Sequence, residues 1–150
     1  MNNLTMFDAA GVKPDPGAIM CGIRMGLISP KAICDFAERA ITAADSAADG
    51  LDDMLVFEGD ADEALQCMKE HGYSEDGLSA RKVRYAMLAN LHSEGQDLLE
   101  DIEEVYSTFD YPADMDNLIY YMPSEAGSSS KESLIDNFHE FLDSEKKALQ

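Results

Sequence analysis

The sequence predicts an all-α fold: a single-domain, irregular bundle of about seven helices over residues 1–150, with stacked helical hairpins as one way to arrange them. Three observations predict it. Apolar residues recur at i, i+3, i+4 and i+7 along most of the chain. The apolar segments are punctuated by Asp or Ser caps, Pro openings and Gly stops. Nine Met and no Trp suit a helical core, because the unbranched thioether fills irregular gaps between helices. A chain of 150 residues buries roughly 68–70% of its unfolded surface, so a sizeable core needs no covalent staples.

Residues 1–14 read as an irregular lead-in. The first helix starts at "DPGAIMCGIRMGLI", with Asp15 as N-cap and Pro16 at the first helical position, where a missing N–H costs nothing. Ile19, Ile23 and Leu27 share a face, and Gly22 and Gly26 each weaken the helix by ~1 kcal/mol unless a close neighbour requires them. Ser29 and Pro30 open a second helix, in which Ile33, Phe36, Ala37, Ala40, Ile41 and Ala44 form a strong stripe ending near Ala48. "LDDMLVF" reads as a helical turn or two, with a strand as the alternative. Asp60 caps "ADEALQCMKEHG", whose stripe is Ala61, Ala64, Leu65 and Met68 and whose stop is Gly72.

Ser79 caps the next helix, with Val83, Met87, Leu88 and Leu91 facing in. Leu98, Leu99, Ile102, Val105, Tyr106 and Phe109 then define a helix whose opposite side carries Glu100, Glu103 and Glu104. Asp110-Tyr111-Pro112 breaks it, and "PADMDNLIYYM" starts a short helix that ends at Pro123. Residues 124–131 form a flexible Ser- and Gly-rich loop. The last helix buries Leu134, Ile135, Phe138, Phe141 and Leu142, and Lys146 and Lys147 complement its C-terminal dipole.

No catalytic constellation emerges. His71 stands beside a helix stop, where an imidazole can bond terminal carbonyls, and His92 and His139 lie on helices without a nucleophile to serve. Read as a calcium loop starting at Asp60, "DADEALQCMKEH" puts Leu65 where the tight-turn Gly belongs and His71 where the bidentate Glu belongs. No zinc spacing, phosphate loop or dinucleotide fingerprint occurs, so no metal, no cofactor and no enzyme activity is expected. Cys21, Cys34 and Cys67 are an odd, widely spaced set beside apolar neighbours, which reads as buried free thiols in a reducing compartment. The N-terminus has neither the basic start nor the apolar run of a signal peptide, and no stretch approaches the ~18 apolar residues of a membrane span, so a cytoplasmic location is expected.

Charge is the strongest signal. Eleven basic residues stand against 30 acidic ones, for a net charge of −19. That disfavours nucleic acid and anionic membranes and favours a basic partner. No Lys or Arg separates Arg39 from Lys69, a span with eight acids, or Arg84 from Lys131, a span with ten. Such a field speeds association with a cationic partner by about 10–10³ and mimics the charge of a nucleic-acid backbone. The bland alternative is that the acidity serves solubility.

At "GLISPKAICDFAERAI" and "FDYPADMDNLIYYMP" the chain resembles the bacterial family called domain of unknown function 2247, from about Cys21 to Leu142. The second motif is the more specific: Phe109 to Pro112 at a helix break, then Tyr120, Tyr121, Met122 and Pro123. The resemblance implies a small partner-binding protein of the kind found near polymorphic toxins, with no catalytic residues to transfer. The absence of Trp is a departure from what such helical proteins lead one to expect. Resemblance and charge together lead to the expectation of an immunity protein, of the toxin–antitoxin or contact-dependent growth inhibition type. It would cover the cleft of a cognate basic toxin, expected to be a nuclease. Its partner-binding residues would be Glu100, Asp101, Glu103, Glu104, Asp114 and Asp116, with Tyr111 and Tyr121 as aromatic anchors for Arg or Lys. The alternatives are a hydrolase built on an acidic pair or a metal, and a helical scaffold or regulator.

Overall fold

The computed structural model describes residues 4–43, 51–119 and 131–149. The fold is all-α, an irregular bundle with no strand among the described residues. By their internal contacts the residues divide into two compact units, 1–83 and 84–150.

The first unit begins with α1 (Thr5–Ala10), where the sequence leads one to expect irregular chain. This six-residue helix has no side-chain cap and is held by burial: Leu4 and Phe7 are fully enclosed, and Met6, Ala10 and Val12 are buried beside them in sequence. Helix α2 (Pro16–Arg24) starts as its sequence requires, with the Ala18 N–H donating to Asp15 Oδ1 at 2.8 Å and Pro16 in the first turn. One apolar face is expected here, but every residue from Gly17 to Ile23 is buried. A helix apolar all round belongs inside, and α2 packs against both α3 (Ala32–Ala43) and α5 (Ala61–Glu70).

The neighbour that requires Gly22 is Ile28, which the turn after α2 folds back over it. A Cβ at Gly22 would lie 2.2 Å from Ile28 Cδ1. Ser29 and Pro30 form a turn, with Ser29 Oγ accepting from Lys31 N, and α3 proper begins at Ala32. The expected continuation of α3 toward Ala48 lies outside the described residues. The ambiguous "LDDMLVF" yields a single helical turn, α4 (Asp52–Leu55), packed on α3.

Helix α5 behaves as its sequence dictates. Asp60 Oδ1 accepts from Glu63 N at 2.9 Å, Gly72 leaves the helix at φ +87°, and His71 Nδ1 meets the Cys67 carbonyl at 2.8 Å. Asp60→Ala should cost about 1 kcal/mol, read as a lower urea midpoint at unchanged slope. An unchanged midpoint would show that the cap contributes nothing. Surface ion pairs complete the unit: Arg39 holds Asp8 bidentately at 2.8 and 2.9 Å, and Arg24 holds Glu75 at 3.0 Å. In both, the guanidinium hydrogen bonds draw the carboxyl below its ordinary range. All three cysteines are free. Cys21 is fully buried, and its thiol is pushed up to about 11, chiefly by desolvation and then by Glu75.

Helix α6 (Ser79–Ala89) carries the boundary between the units. Its start is a reciprocal cap displaced from the expected Ser79: Asp76 Oδ1 accepts from Leu78 N, and Ser79 Oγ accepts from Asp76 N, each at 2.8 Å.

The second unit contains the end of α6, then α7 (Gly95–Thr108), a 3₁₀ helix (Ala113–Leu118) and α8 (Lys131–Leu149). The α7, 3₁₀ and α8 segments pack on one another around Leu98, Leu99, Ile102, Met115, Leu134 and Phe138. The 3₁₀ turn replaces the short α-helix expected after Pro112. Lys131, placed in a loop by the sequence reading, opens α8, while residues 124–130 lie outside the described residues.

Candidate functional site

Helix α7 supplies most of the residues that the sequence nominates. Its apolar repeat turns Leu98, Leu99, Ile102, Val105 and Tyr106 inward, which fixes what the other side can show. Asp97, Glu100 and Glu104 are exposed, while Asp101 and Glu103 are half-buried. Asp97, Glu100, Asp101 and Glu104 fall at i, i+3, i+4 and i+7, so four carboxylates share one stripe. Each like-charged pair at these spacings costs a few tenths of a kcal/mol in a helix. The last turn holds no basic residue, so the negative end of the helix dipole adds to the stripe. Among the described residues, Asp97, Glu100, Glu103 and Glu104 take part in no ion pair. Asp101 accepts a hydrogen bond from Ser93 Oγ at 2.5 Å.

The helix ends in an uncommon conformation. Asp110 and Tyr111 both take left-handed backbone, at φ +62° and +55°, and the Tyr111 N–H donates to the Tyr106 carbonyl at 2.9 Å. Pro112 bars Tyr111 from right-handed helix, and the chain leaves α7 abruptly. The Tyr111 side is 56% exposed, unusual for a large aromatic residue, and its ring stands edge-on to Tyr106 with centroids 5.3 Å apart. Tyr106 in turn donates its hydroxyl to Asp116 Oδ1 at 2.9 Å.

Asp114 has a structural partner. Arg84, only 5% exposed, donates to both its carboxylate oxygens, at 2.8 and 2.7 Å. The same guanidinium donates to Glu145 Oε2 at 3.2 Å and lies 5.4 Å from the Phe141 ring centroid. Glu145 is 4% exposed, and the Arg84 Nε has no hydrogen-bond partner. Asp114 and Asp116 therefore hold the second unit together internally. Glu100, Glu103 and Glu104 carry no such internal pairing among the described residues, and Tyr111 stays exposed. Tyr121 lies outside the described residues.

The sequence reading missed Arg84, Glu145, Ser93 and Tyr106 as organisers of this region. One signal could have found the pair: Glu145 continues the Leu134, Phe138, Phe141 stripe, and Arg84 falls in register with Leu88 and Leu91. A charge on an apolar stripe demands a partner.

Chemically, the α7 stripe is a fixed anionic potential and Tyr111 an exposed aromatic ring, each suited to guanidinium or ammonium groups. His92 and His139 are exposed, and no group of three His, Cys, Asp or Glu among the described residues is placed to hold a metal ion. No helix among them is long and apolar enough to cross a membrane. The model of DUF2247, a family described as an uncharacterized protein conserved in bacteria, matches residues 4–146. No curated protein and no solved structure matches the chain.

Proposed function

The chain belongs to the DUF2247 family of bacterial proteins, and from that premise we propose that it is a non-catalytic binding protein of the immunity type. It neutralises a cognate basic toxin, a nuclease in the simplest case, by laying an acidic helical face over the toxin's substrate cleft or a neighbouring surface. The observation that carries this reading is the α7 stripe of Asp97, Glu100, Asp101 and Glu104, four carboxylates with no basic residue among them. A soluble protein gains stability by interspersing Lys on such a face. The absence of any Lys or Arg between Arg84 and Lys131 retains a field that steers a cationic macromolecule. Asp114, paired with Arg84, and Asp116, bonded to the Tyr106 hydroxyl, follow Tyr111 in the chain and add to the acidic surface.

Co-expression with the product of the adjacent gene tests the proposal: a stable complex and rescue of growth are expected, and the absence of both would defeat it. Charge reversal locates the face. Glu100→Lys with Glu104→Lys should slow association at low salt by about tenfold or more and flatten its salt dependence, with dissociation less affected. Stopped-flow traces that match those of the unaltered protein would remove α7 from the interface.

A further inference from the structure

The first unit contains a groove of about 640 Å³ that none of the α7 residues lines. That volume lies within the range of roughly 300–1,000 Å³ typical of small-molecule sites. Its walls are apolar and stiff. Pro14 and Pro16, with fixed backbone, line it together with Phe36, Ala40 and Tyr73. The Phe36 and Tyr73 rings brace each other edge to face, 5.5 Å between centroids at 87°. Such walls are set before any ligand arrives, so little ordering remains to be done on binding.

The rim reverses the sign of the molecule. Its two acids are both engaged: Asp8 by the bidentate Arg39 guanidinium, and Asp15 by Lys82 and the Ala18 N–H. Lys13 is exposed and makes no ion pair or hydrogen bond among the described residues. In a chain of net charge −19, the charge left without an opposite partner among the described lining residues is a cation. We propose that the groove is a binding site for a small aromatic carboxylate, its ring seated against the prolines and the Phe36–Tyr73 pair and its carboxylate on the Lys13 ammonium. The site is independent of the toxin-binding reading, and either can fail alone.

The test is an amide-shift titration of the ¹⁵N-labelled full chain with 3-phenylpropionate, and in parallel with 3-phenylpropylamine, which has the same ring and the opposite charge. Saturable shifts should gather at Lys13, Phe36, Ala40 and Tyr73. The carboxylate should bind about tenfold tighter, since attraction and repulsion at an exposed charge each contribute up to about fivefold. Lys13→Glu, at an exposed position, should invert the preference. Ala40→Leu, with the rest of the spectrum retained, should narrow the groove at the ring position and weaken binding of both probes. Equal affinity for the two probes, shifts centred elsewhere, no saturable shift, or full binding by Ala40→Leu would each overturn the assignment.

Discussion

Replacing Arg84 with Met is expected to destabilise the protein by about 3–5 kcal/mol, because it removes the guanidinium that faces the buried Glu145 carboxylate and holds Asp114 bidentately. The loss is much larger than the net worth of the ion pair. The pair sits where water cannot help it, and removing one member exposes the desolvation cost of the other. Asp114 also loses its bidentate partner, but it is exposed and can be resolvated at small cost. A double variant separates the two contributions. Arg84→Met with Glu145→Leu removes both charges and should recover part of the loss, and it also eliminates the unpartnered Arg84 Nε. Urea unfolding followed by helical circular dichroism reads both variants. A loss below about 1 kcal/mol for Arg84→Met would mean that the carboxylate reaches water or is satisfied without the guanidinium.

The second large effect is expected at a residue that looks peripheral. Phe7→Ala should cost about 3–5 kcal/mol, the usual toll of emptying a fully enclosed aromatic site. Helix α1 has six residues and no side-chain cap, so its own hydrogen bonding cannot keep it folded. Burial of Leu4 and Phe7 must do so. The variant should lower the thermal midpoint and raise proteolytic cleavage within residues 4–12. If Phe7→Ala unfolds at the same urea concentration as the unaltered protein, α1 is an ornament on the first unit rather than part of its core.

These two sites mark where sequence reading stopped. Helices α2, α5 and α7 were legible because local chemistry and periodicity agreed. Asp15 with Pro16, Asp60 with Gly72, and the Leu98-to-Tyr106 repeat each specify an element without reference to the rest of the chain. Helix α1 was not, because it is too short to show a period and tertiary burial overrides its poor start. The Arg84–Glu145 contact spans 61 positions, and the three-dimensional meeting of two such residues is not encoded in either neighbourhood. The acidic face was legible as charge. Which of its carboxylates the fold consumes was not, since Asp114 and Asp116 look as free in sequence as Glu100 and Glu104. Tyr106 illustrates the same limit: its ring is predicted by the repeat, but its hydroxyl bond to Asp116 depends on how the chain turns after Pro112.

The left-handed pair at Asp110 and Tyr111 carries a consequence for kinetics. Two successive non-glycine residues with positive φ, pinned by the hydrogen bond to Tyr106 and followed by a proline, leave the Tyr111 backbone few places to go. Its ring rests edge-on against Tyr106, whose hydroxyl is bonded to Asp116, so backbone and neighbour both restrict this tyrosine in the free protein. A ligand that meets it captures a rigid paddle instead of taming a swinging one, so the entropy lost at that contact was surrendered during folding.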